Sequence, residues 1–294
     1  MSAKLILLLA LAAFAIFYLA VFLNGLARAR REGAPLPSAA HIATGFGTNF
    51  LDTLGIGSFA TSTSIFKFWN MVPDELIPGT LNTGHTLPVM FQAFIYMAAI
   101  EVDATTLVLM IAGAVTGAWF GAGLVARLSR RSVQLGMGFA LLVAVTAMLM
   151  SQLSLFPAGG AAIGLQGWRL AVGVVCNFLF AAISTLGIGF YAPCMTLVSL
   201  LGMNPATAFP IMMGSAAFLM PVAGSRFVWR RAYFVPVAAG LAAGGLLGVP
   251  LAAFVVKSLP LTALRYLVTV VVLYAAVLML RSARYPAGFS GKCL

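Results

Sequence analysis

Long apolar stretches, separated by short polar or basic turns, follow one another along almost the whole chain. Two of them, at 58–70 and 190–201, fall short of the roughly 20 residues that a membrane-spanning helix needs. Both follow the sequence TLGIG and lead to a proline, so we interpret them as half-helices or tightly confined short spans. The complete set lies at 5–27, 39–57, 58–70, 79–100, 104–126, 132–151, 169–188, 190–201, 205–224, 232–256 and 262–280. This pattern predicts an all-α polytopic membrane protein with about eight to eleven membrane segments.

Composition agrees with the segment pattern. The chain has 294 residues, of which 62% are hydrophobic and 8% charged, and its mean hydropathy is +1.06. Such a chain cannot fold around one soluble core, and the segments leave no room for a soluble domain. The run at 5–23 is long and lacks a convincing small-residue cleavage site, so we expect an uncleaved helix instead of a signal peptide.

The sequence TLGIG occurs twice, and the match extends beyond it. The copies begin at Thr53 and Thr185, an offset of 132 residues. At the same offset Ala60 matches Ala192, Met71 matches Met203, Pro73 matches Pro205 and Pro78 matches Pro210. Self-similarity at a fixed offset predicts an internal repeat. We therefore divide the chain into 1–38 with an additional N-terminal helix, repeat 1 at 39–151, an external linker at 152–168, repeat 2 at 169–281 and a tail at 282–294.

The basic residues orient these repeats. They form four clusters between apolar segments, around Arg28–Arg31, Arg127–Arg131, Arg226–Arg231 and Arg281–Lys292, and the positive-inside rule puts all four in the cytoplasm. Repeat 1 then begins inside and repeat 2 outside, so the two repeats are inverted. Inverted repeats with broken or re-entrant helices are typical of secondary transporters, whose substrate site lies at the breaks.

The residues at the two breaks fit a small anion. A helix that starts at Ser58 or Phe190 presents free backbone N–H groups and its positive dipole end, and glycine lets a ligand come close to the backbone. Nearby hydroxyls add donors, although each could instead bond back to its own helix. The candidate binding residues at the breaks are Thr53, Gly55, Gly57, Ser58, Thr61, Ser62, Thr185, Gly187 and Gly189.

Asp52 is the most informative single residue of this region. Placing a carboxylate in an apolar membrane segment costs free energy, so such a group usually faces a cavity or a partner. Burial favours the neutral form of a carboxyl group and would suit Asp52 to proton coupling. Pairing with Lys67 or another cation would instead make Asp52 structural. Both interpretations stay open at this level.

A second polar concentration is GTLNTGHTLP at 79–88. Here Asn82 and His85 are candidate binding residues, and His85 could donate to an anion or relay a proton. Repeat 2 offers only Gly214 and Ser215 in the corresponding region, and Ser215 completes the candidate set. Gln92 and Asn177 could line the pathway or bond between helices.

The sequence resembles the sulfite exporter TauE/SafE family of anion permeases. The resemblance covers nearly the whole chain after residue 40 and rests on NFLDTLGIGSFATSTSIFKF, IPGTLNTGHTLPVMFQAF and LGIGFYAPCMTLVSLLGMNPATAFPIMMGS. It implies a bacterial inner-membrane carrier that exports sulfite, an organosulfonate or a related small anion. A small inorganic or organosulfur anion and membrane lipid are the expected partners, and a homo-oligomer is compatible with the sequence.

Other functions receive less support from the sequence. It contains no nucleotide-binding loop and no metal-ligand spacing, so we expect no cofactor, no metal and no ATP-driven transport by this chain alone. Its scattered basic clusters predict no nucleic-acid partner. The rival functions are an intramembrane enzyme that uses Asp52 and His85, for which no nucleophile is recognisable, and an ion channel. An inverted duplication favours the carrier.

Overall fold

The computed structural model describes residues 3–54, 56–99, 101–155, 159–187, 191–204, 207–255 and 262–283. These residues form an all-helical bundle, with one isolated bridge between Ala162 and Met203. The helices are α1 (Ala3–Arg31), α2 (Ala39–Thr53), α3 (Ser58–Trp69), α4 (Ile77–Gly84), α5 (Thr86–Ala99), α6 (Ala104–Val125), α7 (Arg130–Gln152), α8 (Gly167–Ser184), α9 (Tyr191–Leu200), α10 (Ala208–Trp229), α11 (Val235–Pro250) and α12 (Thr262–Ser282). A 3-10 turn at Asp74–Leu76 precedes α4, and a π-helical turn at Leu251–Val255 follows α11.

Six helices are long and apolar enough to cross a membrane. They lie at Leu5–Arg31, Ala104–Val125, Arg130–Met150, Gly167–Ser184, Phe209–Trp229 and Val235–Phe254. Five of the other helices are shorter, with 8 to 15 residues: α2, α3, α4, α5 and α9. Fewer helices therefore reach full length than the hydropathy pattern predicts. The chain is therefore a multi-pass membrane protein of the all-helical class.

One end of the bundle, which we call the basic end, gathers arginines from three parts of the chain. Arg231 pairs with Glu32 at 3.1 Å, which joins the end of α10 to the end of α1. The Nη1 atom of Arg230 donates to the carbonyl of Gly123 at 3.0 Å, near the end of α6. Arg130, at the start of α7, lies 3.7 Å from Asp74. These contacts hold the end of α1, α6 and α10 and the start of α7 at one face of the molecule.

The opposite end is formed by the loops before α6 and before α8. The backbone N–H of Asp103 donates to the carbonyl of Ile163 at 3.0 Å. The backbone N–H groups of Gly160 and Asn204 donate to the carbonyls of Met203 and Ala162, at 2.9 and 2.8 Å. Asp103 also caps α6 through the backbone N–H and the hydroxyl of Thr106, and these hydrogen bonds lower the pKa of the Asp103 carboxyl.

Two helical hairpins enter the bundle from different ends. The α2–α3 hairpin starts beside the first half of α11, where His41 faces Gly240, and it ends at Lys67, which pairs with Asp74 at the basic end. The α8–α9 hairpin starts after Leu165, whose N–H bonds to Thr106, and it leads to Met203 at the opposite end. Each hairpin therefore returns to the end from which it came. Of the TLGIG residues that the structure describes, 54, 56 and 57 lie between α2 and α3, and 185–187 follow α8.

Glycines allow α2 to pack closely along α11 and α8 to pack closely along α6. A Cβ atom at Gly244 or Gly248 would overlap the backbone of Ile42 or Phe46, and one at Gly113 or Gly117 would overlap the backbone of Val174 or Phe178. Close backbone approach of this kind is the usual role of small residues between membrane helices. It fixes each hairpin against one long helix and so positions the turn at its tip.

The helices α4 and α5 connect the two ends in series, with an interruption at His85. Pro88 has no N–H to donate to the carbonyl of Gly84, so one helical hydrogen bond is missing next to the interruption. The hydroxyl of Thr86 bonds instead to the carbonyl of Asn82. The sequence pattern predicted one segment at 79–100, whereas the structure has two helices that meet at a buried histidine.

Candidate functional site

The tip of the α2–α3 hairpin is built around a carboxylate at a helix N-terminus. Gly57 precedes α3 with φ of 89°, a conformation that other residues adopt only under strain, and the space beside its Cα is open. The Oδ1 atom of Asp52 accepts the backbone N–H of Ser58 at 2.7 Å, and Asp52 is only 2% exposed. This carboxylate therefore occupies part of the position where the sequence predicted a bound anion.

Lys67 does not serve as the cation for Asp52. Its Nζ atom lies 2.7 Å from Oδ1 of Asp74, whose Oδ2 accepts the side chain of Gln134 at 2.7 Å. This buried group joins the end of α3 to the start of α7 at the basic end, whereas Asp52 lies at the other end of α3. Of the two interpretations of Asp52, pairing with Lys67 is not what the structure shows.

Several hydroxyls of the predicted site bond back to their own helices. Thr61 donates to the carbonyls of Gly57 and Ser58, each at 2.9 Å. Thr53 donates to the carbonyl of Asn49, and Thr185 donates to that of Ala182. Such bonds satisfy a hydroxyl inside a membrane without a ligand. Each of these oxygens still has room for a further donor, since a hydroxyl also accepts hydrogen bonds.

The tip of the α8–α9 hairpin packs against α4. Gly187 has φ of 97° and lies close to Leu81 and Met137. The side-chain nitrogen of Asn82 donates to the carbonyl of Thr185 at 3.1 Å, so these two predicted site residues are in contact. Two further predicted residues, Gly55 and Gly189, lie outside the described part of the chain.

The two tips lie at different depths of the bundle. The carbonyl of Thr53 accepts the hydroxyl of Tyr96 at 2.8 Å, and the Thr53 hydroxyl accepts the side chain of Gln92 at 2.9 Å. The matching residue of the second tip, Thr185, instead bonds to Asn82 on α4. Asn82 and Gln92 lie on either side of the interruption at His85, so Thr185 and Thr53 contact α4 and α5 at separate levels.

His85 lies between these levels, in a buried chain of three polar side chains. Its Nε2 atom is 2.9 Å from the hydroxyl of Ser62, and its Nδ1 atom is 3.0 Å from Oδ1 of Asn49. Because the side-chain nitrogen of Asn49 donates to the carbonyl of Gly45, its Oδ1 must accept from Nδ1–H of His85. In neutral histidine, Nε2 then accepts the hydroxyl proton of Ser62. The chain connects α2, α3 and the junction of α4 with α5.

Buried atoms without a partner stand next to this chain. Neither Oδ1 of Asn82 nor the hydroxyl of Thr83 has a hydrogen-bond partner, although both residues are fully buried. Ser215 accepts from Asn177 at 3.1 Å, and Oδ1 of Asn177 is likewise without a partner. Unsatisfied polar atoms are costly in a membrane interior, so they mark positions that a water or a polar ligand would fill.

Asn49 and Tyr96 are site residues that the sequence interpretation missed. Asn49 lies four residues before Thr53, on the same face of α2, and that spacing was an available signal. Tyr96 could not be identified from the sequence, because only the fold brings α5 to the tip of the first hairpin. Among the described residues, no group of three histidine, cysteine or acidic side chains could hold a metal ion.

The fold and the site thus define a multi-pass helical membrane protein with a polar, histidine-containing interior. Comparisons with protein-family models, with curated proteins and with solved structures each gave no match for this chain. The function is therefore inferred from the site itself.

Proposed function

We propose that this chain is a secondary transporter of a small anion, with sulfite or an organosulfonate as the substrate, in a bacterial inner membrane. The observation that carries the proposal is the pair of helical hairpins that enter the bundle from different ends and turn at the two TLGIG sequences. Re-entrant or broken helices that approach from both sides are the framework on which secondary transporters build their substrate sites. The resemblance to the TauE/SafE family supports the same class of substrate.

Helix packing supports an inverted duplication. The offset of 132 residues carries Ile42 onto Val174 and Phe46 onto Phe178, the backbone positions that face the packing glycines. An offset of 131 carries Gly113 onto Gly244 and Gly117 onto Gly248. The contact between α2 and α11 thus corresponds to the contact between α8 and α6. A pseudo-two-fold axis interchanges the two repeats, so a helix contact between them is expected to occur twice, each time with the roles of the repeats reversed.

The arginine clusters support a topology for these repeats. By the positive-inside rule the basic end faces the cytoplasm, and α12 then ends there. The first hairpin enters from the cytoplasm and the second from outside. Their tips contact different residues, Thr185 at Asn82 and Thr53 at Gln92 and Tyr96. Two hairpins that enter from opposite sides are an arrangement suited to alternating access.

Asp52 gives the proposal a coupling mechanism. The N-terminus of α3 attracts anions, and the Asp52 carboxylate occupies the N–H of Ser58. A substrate anion at Gly57 and Ser58 would be repelled by this carboxylate unless Asp52 first takes up a proton. Proton uptake and anion binding are then linked, so that one proton accompanies each anion.

The Ser62–His85 pair offers a second proton-dependent donor. When His85 is neutral, Ser62 donates its proton to Nε2 and presents only lone pairs to a ligand. When His85 is protonated, Nε2–H donates to Ser62 and frees the serine proton for an anion. Binding of a proton would thus change Ser62 from an acceptor into a donor for the substrate.

One specific observation favours the alternative that the chain is an intramembrane enzyme. Ser62, His85 and Asn49 have the order and distances of a nucleophile, a base and an orienting residue. Two features favour transport nonetheless. Ser62 lies inside α3, where its own N–H is used by the helix, so it lacks the oxyanion donor that acyl transfer requires. It is also fully buried. A serine-reactive phosphonate that labels Ser62 would support the enzyme.

Counterflow in proteoliposomes tests the proposal. Vesicles loaded with sulfite, methanesulfonate or chloride receive a trace of radiolabelled sulfite outside, and uptake is followed with and without an imposed proton gradient. A carrier gives saturable uptake that the internal anion accelerates. Uptake that rises linearly with concentration and ignores the internal anion would indicate a channel, and the absence of uptake above protein-free vesicles for every anion would contradict transport.

A further inference from the structure

An open cleft at the basic end, formed where α6 and α10 end, contains none of the residues assigned to the proposed transport, although the neighbouring Gly121 of α6 faces Thr185 at the tip of the second hairpin. Its volume is about 320 Å³, within the range of small-molecule sites. We call it the arginine cleft, and it is lined by Trp119, Phe120, Gly123, Leu124, Arg127, Arg226 and Arg230. Three guanidinium groups from two helices thus share one cavity.

The three arginines of the cleft have no acidic counterpart in the part of the chain that the structure describes. The ion pairs of the basic end use Lys67, Arg130 and Arg231 instead. Three positive charges held together without compensation repel one another, and a bound anion would relieve that repulsion. The cleft is therefore complementary to a negatively charged group.

Two of the guanidinium groups are held in position by the fold. Arg226 stacks over the ring of Trp119, with its Cζ atom 4.0 Å from the ring centroid. Arg230 donates to the carbonyl of Gly123 at 3.0 Å. Gly123 also leaves room for Arg226, because a Cβ atom there would lie 2.9 Å from Nη2 of Arg226. Planar guanidinium groups fixed in this way suit the oxygens of a phosphate.

The border of the cleft is apolar and faces outward. Phe120 and Leu124 are 67% and 66% exposed, and Trp119 is 45% exposed. In a membrane these side chains meet lipid, and tryptophan is common at the level of the headgroups. An inorganic anion would use only the arginines, whereas a phospholipid would use both the arginines and the apolar border.

We propose that the arginine cleft binds the headgroup phosphate of an anionic phospholipid, whose acyl chains lie against Phe120 and Leu124. Basic pockets between membrane helices at the level of the headgroups recognise acidic lipids through this combination of contacts. None of the residues that line the cleft belongs to the proposed substrate site, so the proposal does not depend on which anion the protein carries.

Lipid binding is measured with the full chain in nanodiscs of phosphatidylcholine, by titration with labelled phosphatidylglycerol and, separately, labelled phosphatidylcholine. The cleft variant carries Arg127→Gln, Arg226→Gln and Arg230→Gln. Its matched control carries Arg28→Gln, Arg31→Gln and Arg131→Gln, which removes the same charge from exposed arginines outside the cleft. Each arginine near the membrane surface should contribute about fivefold to the affinity, so the cleft variant should lose roughly 100-fold.

The expected result is that the cleft variant loses its preference for phosphatidylglycerol and the control keeps it. Equal loss in both variants would show a diffuse surface charge and overturn the proposal. Displacement of the lipid by inorganic phosphate at comparable affinity would also overturn it, because the cleft would then recognise a soluble anion. Should the triple variant not fold, Arg127→Gln alone should weaken phosphatidylglycerol binding about fivefold, since Arg127 lines the cleft; unchanged affinity would contradict the site.

Discussion

The carboxylate of Asp52 accepts the backbone N–H of Ser58 at 2.7 Å, so the first hairpin carries its own anion at the N-terminus of α3. The contact closes the turn at Gly57, joins the end of α2 to the start of α3, and uses a donor that a helix would otherwise leave free. A substrate anion at this position must compete with Asp52. The predictions below concern that turn, the polar interior behind it and the orientation of the bundle.

Topology can be tested with single cysteines in a background where Cys176, Cys194 and Cys293 are replaced by alanine. We expect Glu101→Cys and Ala161→Cys to react with an impermeant maleimide from outside, and Pro35→Cys and Ser129→Cys to react only from inside. These positions are exposed loop residues at the two ends of the bundle. Labelling of Pro35→Cys and Ala161→Cys from the same side would contradict the inverted arrangement.

Gly57→Ala should weaken binding of a small sulfonate and destabilise the protein by about 1 to 3 kcal/mol. The reason is the φ of 89° at Gly57, which alanine adopts only with strain. Gly47→Ala is the matched control, because Gly47 lies in the neighbouring helix α2, also with open space beside it. Tryptophan fluorescence titration and thermal unfolding in lipid measure both effects. Unchanged affinity in a well-folded Gly57→Ala variant would remove the turn from the binding site.

Ser62→Ala should cost about 1 to 3 kcal/mol of stability, because it leaves Nε2 of the buried His85 without a partner. Ser64→Ala is the control, since Ser64 donates only to the carbonyl of Ala60 in its own helix at 2.8 Å. Removing that hydroxyl leaves no other side chain without a partner, so Ser64→Ala should lower the stability by less than Ser62→Ala. Chemical unfolding of both variants in detergent decides the point. Equal costs would mean that the Ser62–His85 contact adds no stability.

Asp103→Ala should destabilise α6 by an amount typical of an N-cap, about 1 kcal/mol. The hydrogen bonds from Thr106 lower the pKa of Asp103 below its usual value of 3.8. A carboxyl group with a lowered pKa in the folded state stabilises the protein above that usual value, and this stabilisation disappears as the pH falls through the lowered pKa.

Thermal unfolding of the wild type and Asp103→Ala should therefore differ most at neutral pH and converge in acid. Asp103→Asn is the control, because asparagine also caps helices but does not titrate in this range. A wild-type advantage over Asp103→Ala that is the same at neutral and acidic pH would contradict a role for the carboxylate charge.

Much of the fold could be predicted from the sequence, because apolar length and glycine or proline interruptions control membrane helices. The predicted segments at 58–70 and 104–126 correspond to Ser58–Trp69 and Ala104–Val125. The interruption at His85 was missed because Pro88 lies inside an otherwise apolar run. A single proline leaves the length and composition of such a run unchanged.

The site was less predictable, because its contacts join residues far apart in the chain. From the sequence, Lys67 or another cation could pair with Asp52, yet a helix of twelve residues places the two at opposite ends of α3, and Lys67 meets Asp74. The contact of His85 with Asn49 connects residues 36 positions apart. No local pattern in the sequence predicts such a contact, because it depends on how α2 packs beside the junction of α4 with α5.

Competition between Asp52 and the substrate is the central claim, and methanesulfonate binding as a function of pH tests it most directly, since this sulfonate keeps its charge throughout. If Asp52 must take up a proton first, the affinity of the wild type should rise as the pH falls, by about tenfold per pH unit above the titration of the carboxyl group. Asp52→Asn should bind more tightly than the wild type at neutral pH and lose most of this dependence, and His85→Gln should retain most of the wild-type dependence. Wild-type affinity that does not change with pH, together with Asp52→Asn binding no tighter than the wild type, would contradict the competition.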